Sequence, residues 1–151
     1  MKILALDMAT KTGWWCNDPS AGGVENFKTR QGDSRGMLFL RFRTWVNEML
    51  TRVKPDLVVY EEAHRHGKAS SEVALGLLSH LQAACEEHGG VQYTYCHTNT
   101  LKKFATGRGN ADKSDMMDAY RKRWGQEPVD DNESDARWLL AWAEKEHGGG
   151  A

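Results

Sequence analysis

Apolar positions in this chain fall into five short strand-like runs and five longer stretches at helical spacing. Ile3-Leu4-Ala5-Leu6 is continuously apolar, as expected of a strand covered on both faces, and it ends on Asp7. Thr10-Lys11-Thr12-Gly13 reads as a tight turn, with Gly13 free to take positive φ, leading into an antiparallel strand at Trp14-Trp15-Cys16. The segment 17–23 is dense in turn residues, and alternation over Val24-Glu25-Asn26-Phe27-Lys28-Thr29 predicts a third strand. Leu38, Leu40, Phe42, Trp45, Val46, Met49 and Leu50 predict a helix over 37–53, which Pro55 ends. Leu57-Val58-Val59-Tyr60 is a second short apolar strand, and it too finishes on acid, Glu61-Glu62.

A loop over 63–69 follows, then a helix capped by Ser70 or Ser71 that runs to about His88 on a stripe of Val73, Leu77, Leu78, Leu81 and Ala84. Ala74, Leu77, Leu78 and Leu81 serve either as a subunit interface or as ordinary core. Alternation over 91–96 predicts a fifth strand, followed by a short helix over 100–105 and a Gly-rich basic loop around Arg108. Asp112 and Asp115 have the spacing of a capping box opening a helix to about Trp124, and a last helix spans about Asp131 to His147. The order of elements predicts an α/β domain in which helices pack on a mixed sheet.

At 151 residues the chain reads as one domain over 1–147 with a flexible Gly-rich tail over 148–151. The N-terminal apolar run is too short for a signal peptide, and no run reaches the length of a membrane helix. Cys16, Cys85 and Cys96 have neither disulfide nor zinc spacing, so a reducing cytoplasm is the expected compartment. Net charge is −1, but it is segregated. Residues 101–123 carry seven basic and three acidic side chains, whereas 124–151 carry seven acidic and two basic. Such segregation suits a protein that grips a polyanion on one surface and gathers carboxylates elsewhere.

The carboxylates have a pattern. Asp131 and Asp135 are four apart, hence one turn apart on one helix face, which continues through Trp138 and Trp142. Acids favour helix N-termini, but that does not account for Asp135 on the packed stripe. Asp7, Glu61 and the Asp131/Asp135 pair thus each stand at the edge of a core-facing element. Clustered carboxylates repel one another unless cations bind, and hard oxygen donors select Mg²⁺ or Mn²⁺. With basic segments nearby, this is the residue set of a metal-dependent nuclease in which two ions drive water onto a phosphodiester.

Four motifs also resemble the RuvC-type Holliday junction resolvases: Ile3-Leu4-Ala5-Leu6-Asp7 with Gly13 just beyond, Tyr60-Glu61-Glu62, Ala111-Asp112-Lys113-Ser114, and Asp131-Asn132-Glu133-Ser134-Asp135-Ala136. The resemblance spans nearly the whole chain, and its compact size suggests a phage-type member working in a bacterial host cell. It implies an RNase H-like fold, here a five-stranded sheet of three antiparallel meander strands plus two parallel strands with helices on both faces. It also implies a homodimer that nicks four-way DNA junctions in pairs with two Mg²⁺ or Mn²⁺ ions per site, and no membrane or nucleotide cofactor. The matching catalytic and metal positions are Asp7, Glu61 and Asp135, with Asp131 preferred over Asn132 for the fourth and Glu62 in reserve. DNA contacts are expected from Lys11, Thr12, His64, Arg65, Lys68, Lys102, Arg108 and Lys113, where His64 stands in place of the family's base-stacking aromatic. The alternative is another RNase H-like nuclease, acting on RNA–DNA hybrid, RNA or branched DNA flaps.

Overall fold

The two continuously apolar runs become neighbouring parallel strands at the centre of a sheet, where both faces are covered. They are β1 (Ile3–Asp7) and β4 (Leu57–Glu61), paired from Ile3 with Leu57 to Leu6 with Tyr60 in a computed structural model that describes residues 1–62 and 68–148. β2 (Lys11–Asn17) and β3 (Ser20–Asn26) extend the sheet antiparallel on one side, and β5 (Gln92–Cys96) extends it parallel on the other. The strand order is β3-β2-β1-β4-β5, the mixed five-stranded sheet that was expected.

Because side chains alternate across a strand, β1 and β4 sort their residues onto two cores. Leu4, Leu6, Val58 and Tyr60 face α1 (Arg35–Val53) and α2 (Lys68–Glu87), packing with Phe42, Val46, Leu77 and Leu81. Ile3, Ala5, Leu57 and Val59 face the other way, against α3 (Thr98–Thr106), α4 (Lys113–Trp124) and α5 (Asp131–Ala143). A π-helical turn, Glu144–Gly148, follows α5, and residues 149–151 of the expected tail lie outside the described residues. Leu77, Leu81 and Ala84 are fully buried in the first core, which takes that stripe of α2 into the chain's own interior.

Three local expectations are corrected. The segment read as a turn at 10–13 is strand from Lys11 onward, with Gly13 paired opposite Asp7 and the bend moved back to 9–10. The third strand begins at Ser20 rather than Val24, because Gly22 and Gly23 leave room for Trp15 and Trp14 on the paired strand. A Cβ on Gly22 would lie 1.9 Å from the Trp15 ring. Ser70 and Ser71 lie inside α2, which is already helical at Lys68, so neither is its cap.

The capping box at Asp112 and Asp115 forms as expected. Trp138 is buried between Phe104 and Trp124, and Trp142 packs at the edge of the same core. The Arg137 guanidinium lies 4.3 Å from the Trp15 ring and 4.4 Å from the Trp124 ring, tying α5 to the sheet and to α4 through cation–π contacts.

Candidate active site

The alternation that sorts the core also aims the acids. Asp7 stands two residues beyond Ala5 and Glu61 two beyond Val59, so both carboxylates leave the strand ends on the α5 face. α5 brings Asp135 to the same place. Oxygens of Asp7, Glu61 and Asp135 all lie within 4.8 Å of one another. They open into a cavity of about 240 Å³ whose wall includes Asp131, Thr98, Lys102 and Lys113, with Leu101 and Met116 among its apolar residues.

Two contacts set how deep α5 sits. Gly13 packs directly under the first turn of α5, and a Cβ there would lie 2.0 Å from the Asn132 carbonyl oxygen. Asp130 caps α5 by accepting from the Glu133 N–H at 2.9 Å, and its carboxylate pairs with Lys11 at 2.9 Å. Burial alone would raise Asp130, but the Glu133 hydrogen bond and Lys11 outweigh it and hold the carboxyl below its usual range.

The carboxylate group carries more negative charge than its surroundings offset. Burial holds the Asp7 carboxyl well above the usual carboxylate range, and the charges of Asp135, Glu61, Asp131 and Asp130 push it further. Burial likewise pushes Asp135 up to about 8, helped by Glu61 and Asp131, although Lys113 and Lys102 oppose the shift. Convergent hard oxygens, partly buried and under mutual repulsion, fit a divalent cation. Asp7, Glu61 and Asp135 are the residues that would hold it.

No protein-family model matches this chain, and no curated protein matches it in sequence. Solved structures do. Thermus thermophilus RuvC superposes with a TM-score of 0.76 at 20% identity, over 96% of each chain. The same protein in complex with Holliday junction substrate gives a TM-score of 0.79 at 22% identity, over 99% of this chain and 96% of that one. This chain has the RuvC fold. A yeast mitochondrial Holliday junction resolvase, Ydc2, is a more distant likeness, with a TM-score of 0.60 at 12% identity over 92% of this chain and 75% of that one.

Within this RuvC fold the expected residues separate. Asp7, Glu61 and Asp135 come together. Asp131 lines the same cavity but stands at its rim, 3.2 Å from the Lys113 ammonium. Asn132 turns its backbone toward Gly13. Glu62 is exposed and pairs with the His97 ring, away from the cluster. Lys102 and Lys113 line the cavity, whereas Arg108 is exposed and pairs with Asp115 at 2.9 Å. Thr12 is corrected as a DNA contact: it is fully buried, and its hydroxyl donates to the Ala9 carbonyl at 2.7 Å, closing the bend between β1 and β2. His64 and Arg65 lie outside the described residues, and Lys68 is described only as the first residue of α2.

The sequence reading missed two polar side chains near the site. Thr98 donates to Glu61 Oε1 at 2.8 Å, a contact across 37 positions that no local spacing announces. Glu133 lies between the expected ligands yet is buried, accepting from the Val129 N–H at 3.2 Å to close the loop into α5. Its signal is its place three residues after the cap, where a carboxylate reaches back to the preceding backbone. Cys85 and Cys96 are inert interior thiols, pushed by burial up to about 11 and about 12.

Proposed function

We propose that this protein is a metal-dependent endonuclease that resolves four-way DNA junctions by hydrolysing phosphodiesters. The observation that carries the reading is the convergence of Asp7, Glu61 and Asp135 within 4.8 Å at the end of a sheet with the RuvC fold. That a neighbour of this fold is described in complex with Holliday junction substrate supports the choice of DNA over RNA.

In this reading Asp7, Glu61 and Asp135 hold two Mg²⁺ or Mn²⁺ ions, with Asp131 as the fourth carboxylate at the rim. Bound there, the ions supply the Lewis acidity that lowers the pKa of an attacking water and offsets charge on the leaving 3′ oxygen. Lys102 and Lys113 stand on the cavity wall where a backbone phosphate would approach the carboxylates, and they attract it and fix its position. Among the described residues there is one such carboxylate cluster, so paired nicks call for two copies of the chain, and the working form is a homodimer.

The test is cleavage of a labelled four-way junction with and without Mg²⁺, beside linear duplex and RNA–DNA hybrid. Paired, symmetric, Mg²⁺-dependent nicks in the junction are expected, and Asp7→Asn should abolish them while leaving junction binding intact. Preferential cutting of the hybrid, or full activity of Asp7→Asn, would overturn the reading.

A further inference from the structure

The three clustered carboxylates differ in side-chain reach rather than in backbone support. Asp7 ends β1, paired opposite Gly13, and Glu61 ends β4, paired opposite Cys96. Asp135 rides on α5, whose first turn rests on Gly13. The Glu61 side chain has one more rotatable bond than an aspartate. A long carboxylate at a strand end needs a further contact if it is to hold one orientation.

That contact is present. Thr98 donates its hydroxyl to Glu61 Oε1 at 2.8 Å. Thr98 is the first residue of α3, and the turn it opens is fixed by the Leu101 N–H on the His97 carbonyl at 2.9 Å and by the buried Leu101 side chain. β-branching leaves the Thr98 side chain few rotamers in this setting. The hydroxyl therefore reaches Glu61 from a rigid base, and both residues line the same cavity.

The geometry points to Thr98 as the positioning residue that orients the Glu61 carboxylate for divalent-cation binding. This rests on the metal-dependent reading above. Outer partners of this kind commonly change metal affinity about 10–100-fold when removed. Valine has nearly the shape of threonine without the donor, and serine keeps the donor.

Manganese binding to the full chain, followed by electron paramagnetic resonance with Mn²⁺ alone, tests the inference without relying on cleavage. Thr98→Val should weaken Mn²⁺ binding about 10-fold or more, and Thr98→Ser should restore most of it. Thr98→Ala, which also lacks the hydroxyl, should lose affinity as Thr98→Val does and serves if the valine variant fails to fold. Wild-type affinity in a folded Thr98→Val or Thr98→Ala protein would overturn the inference, and so would equal loss in the serine variant. If wild-type protein binds Mn²⁺ through a Thr98-dependent site yet leaves four-way junctions uncut, the junction reading falls and the positioning role stands.

Discussion

Asp7 and Asp135 both have carboxyl pKa values raised above the ordinary 3.8, Asp135 to about 8. A group raised in the folded state binds its proton more tightly there than in the unfolded chain. Its stabilising contribution is complete below the unfolded value and is lost as pH climbs through the folded one. The ion-free protein is therefore expected to lose thermal stability as pH rises from 3.8 to about 8. Asp33 and Asp130 have lowered values, so their contributions fail only at lower pH, outside that window. His80, lowered from 6.5 by burial and by Arg43, adds stability as pH rises toward 6.5 and offsets part of the decline, which the two coupled carboxyls dominate. Saturating Mg²⁺ should remove the decline, because a cation replaces the protons as the balancing charge. Thermal unfolding across this range, with Mg²⁺ or with EDTA, checks it. A midpoint that rises with pH without Mg²⁺ would contradict the arrangement of charges described here.

At the scale of elements, the site depends on how closely α5 approaches the sheet. Gly13 has a strand conformation, not the left-handed turn that its place after Thr12 suggested, and what it supplies is space. A methyl group there meets the Asn132 carbonyl at 2.0 Å, and neither backbone can yield without shifting the helix. Gly13→Ala is expected to cost about 1–3 kcal/mol of stability, in the range of overpacked interiors. It should also weaken Mn²⁺ binding, since Asp135 moves with α5. Denaturant unfolding together with a Mn²⁺ titration measures both effects, and unchanged ion affinity would show that the helix had not moved the site. Sequence reading located the capping box because its residues are three apart. It could not locate the Gly13 contact, whose partner lies more than a hundred positions away.

For the whole molecule, the two cores divide the work. The core under α1 and α2 stabilises the back of the sheet, while the core under α3–α5 carries the carboxylates at its edge. Among the described residues there is one carboxylate cluster, so on the proposed function cutting both strands of a junction would need two copies of the chain. Mixing wild-type protein with excess Asp7→Asn protein should convert paired nicks into single ones, as mixed dimers form with one working site. A supercoiled plasmid bearing a cruciform separates these outcomes, since single nicks relax it and paired nicks linearise it. Linear product persisting in proportion to the remaining wild-type chains would argue against a shared dimer.

The sequence by itself determined the five strands, the mixed sheet, and that Asp7, Glu61 and Asp135 stand at the ends or edges of core-facing elements. Those features follow from local rules: apolar runs mark strands covered on both faces, and an acid that ends such a run must lie at the sheet's edge. Tertiary structure alone decided the rest. It withdrew Thr12 into the interior, sent Glu62 to His97, left Asp131 at the rim beside Lys113, and brought Thr98 onto Glu61. Each of these turns on a contact between elements distant in the chain, or on a bend whose position is fixed only when strands pair. Spacing along a sequence encodes which face a side chain takes, but not what waits for it there.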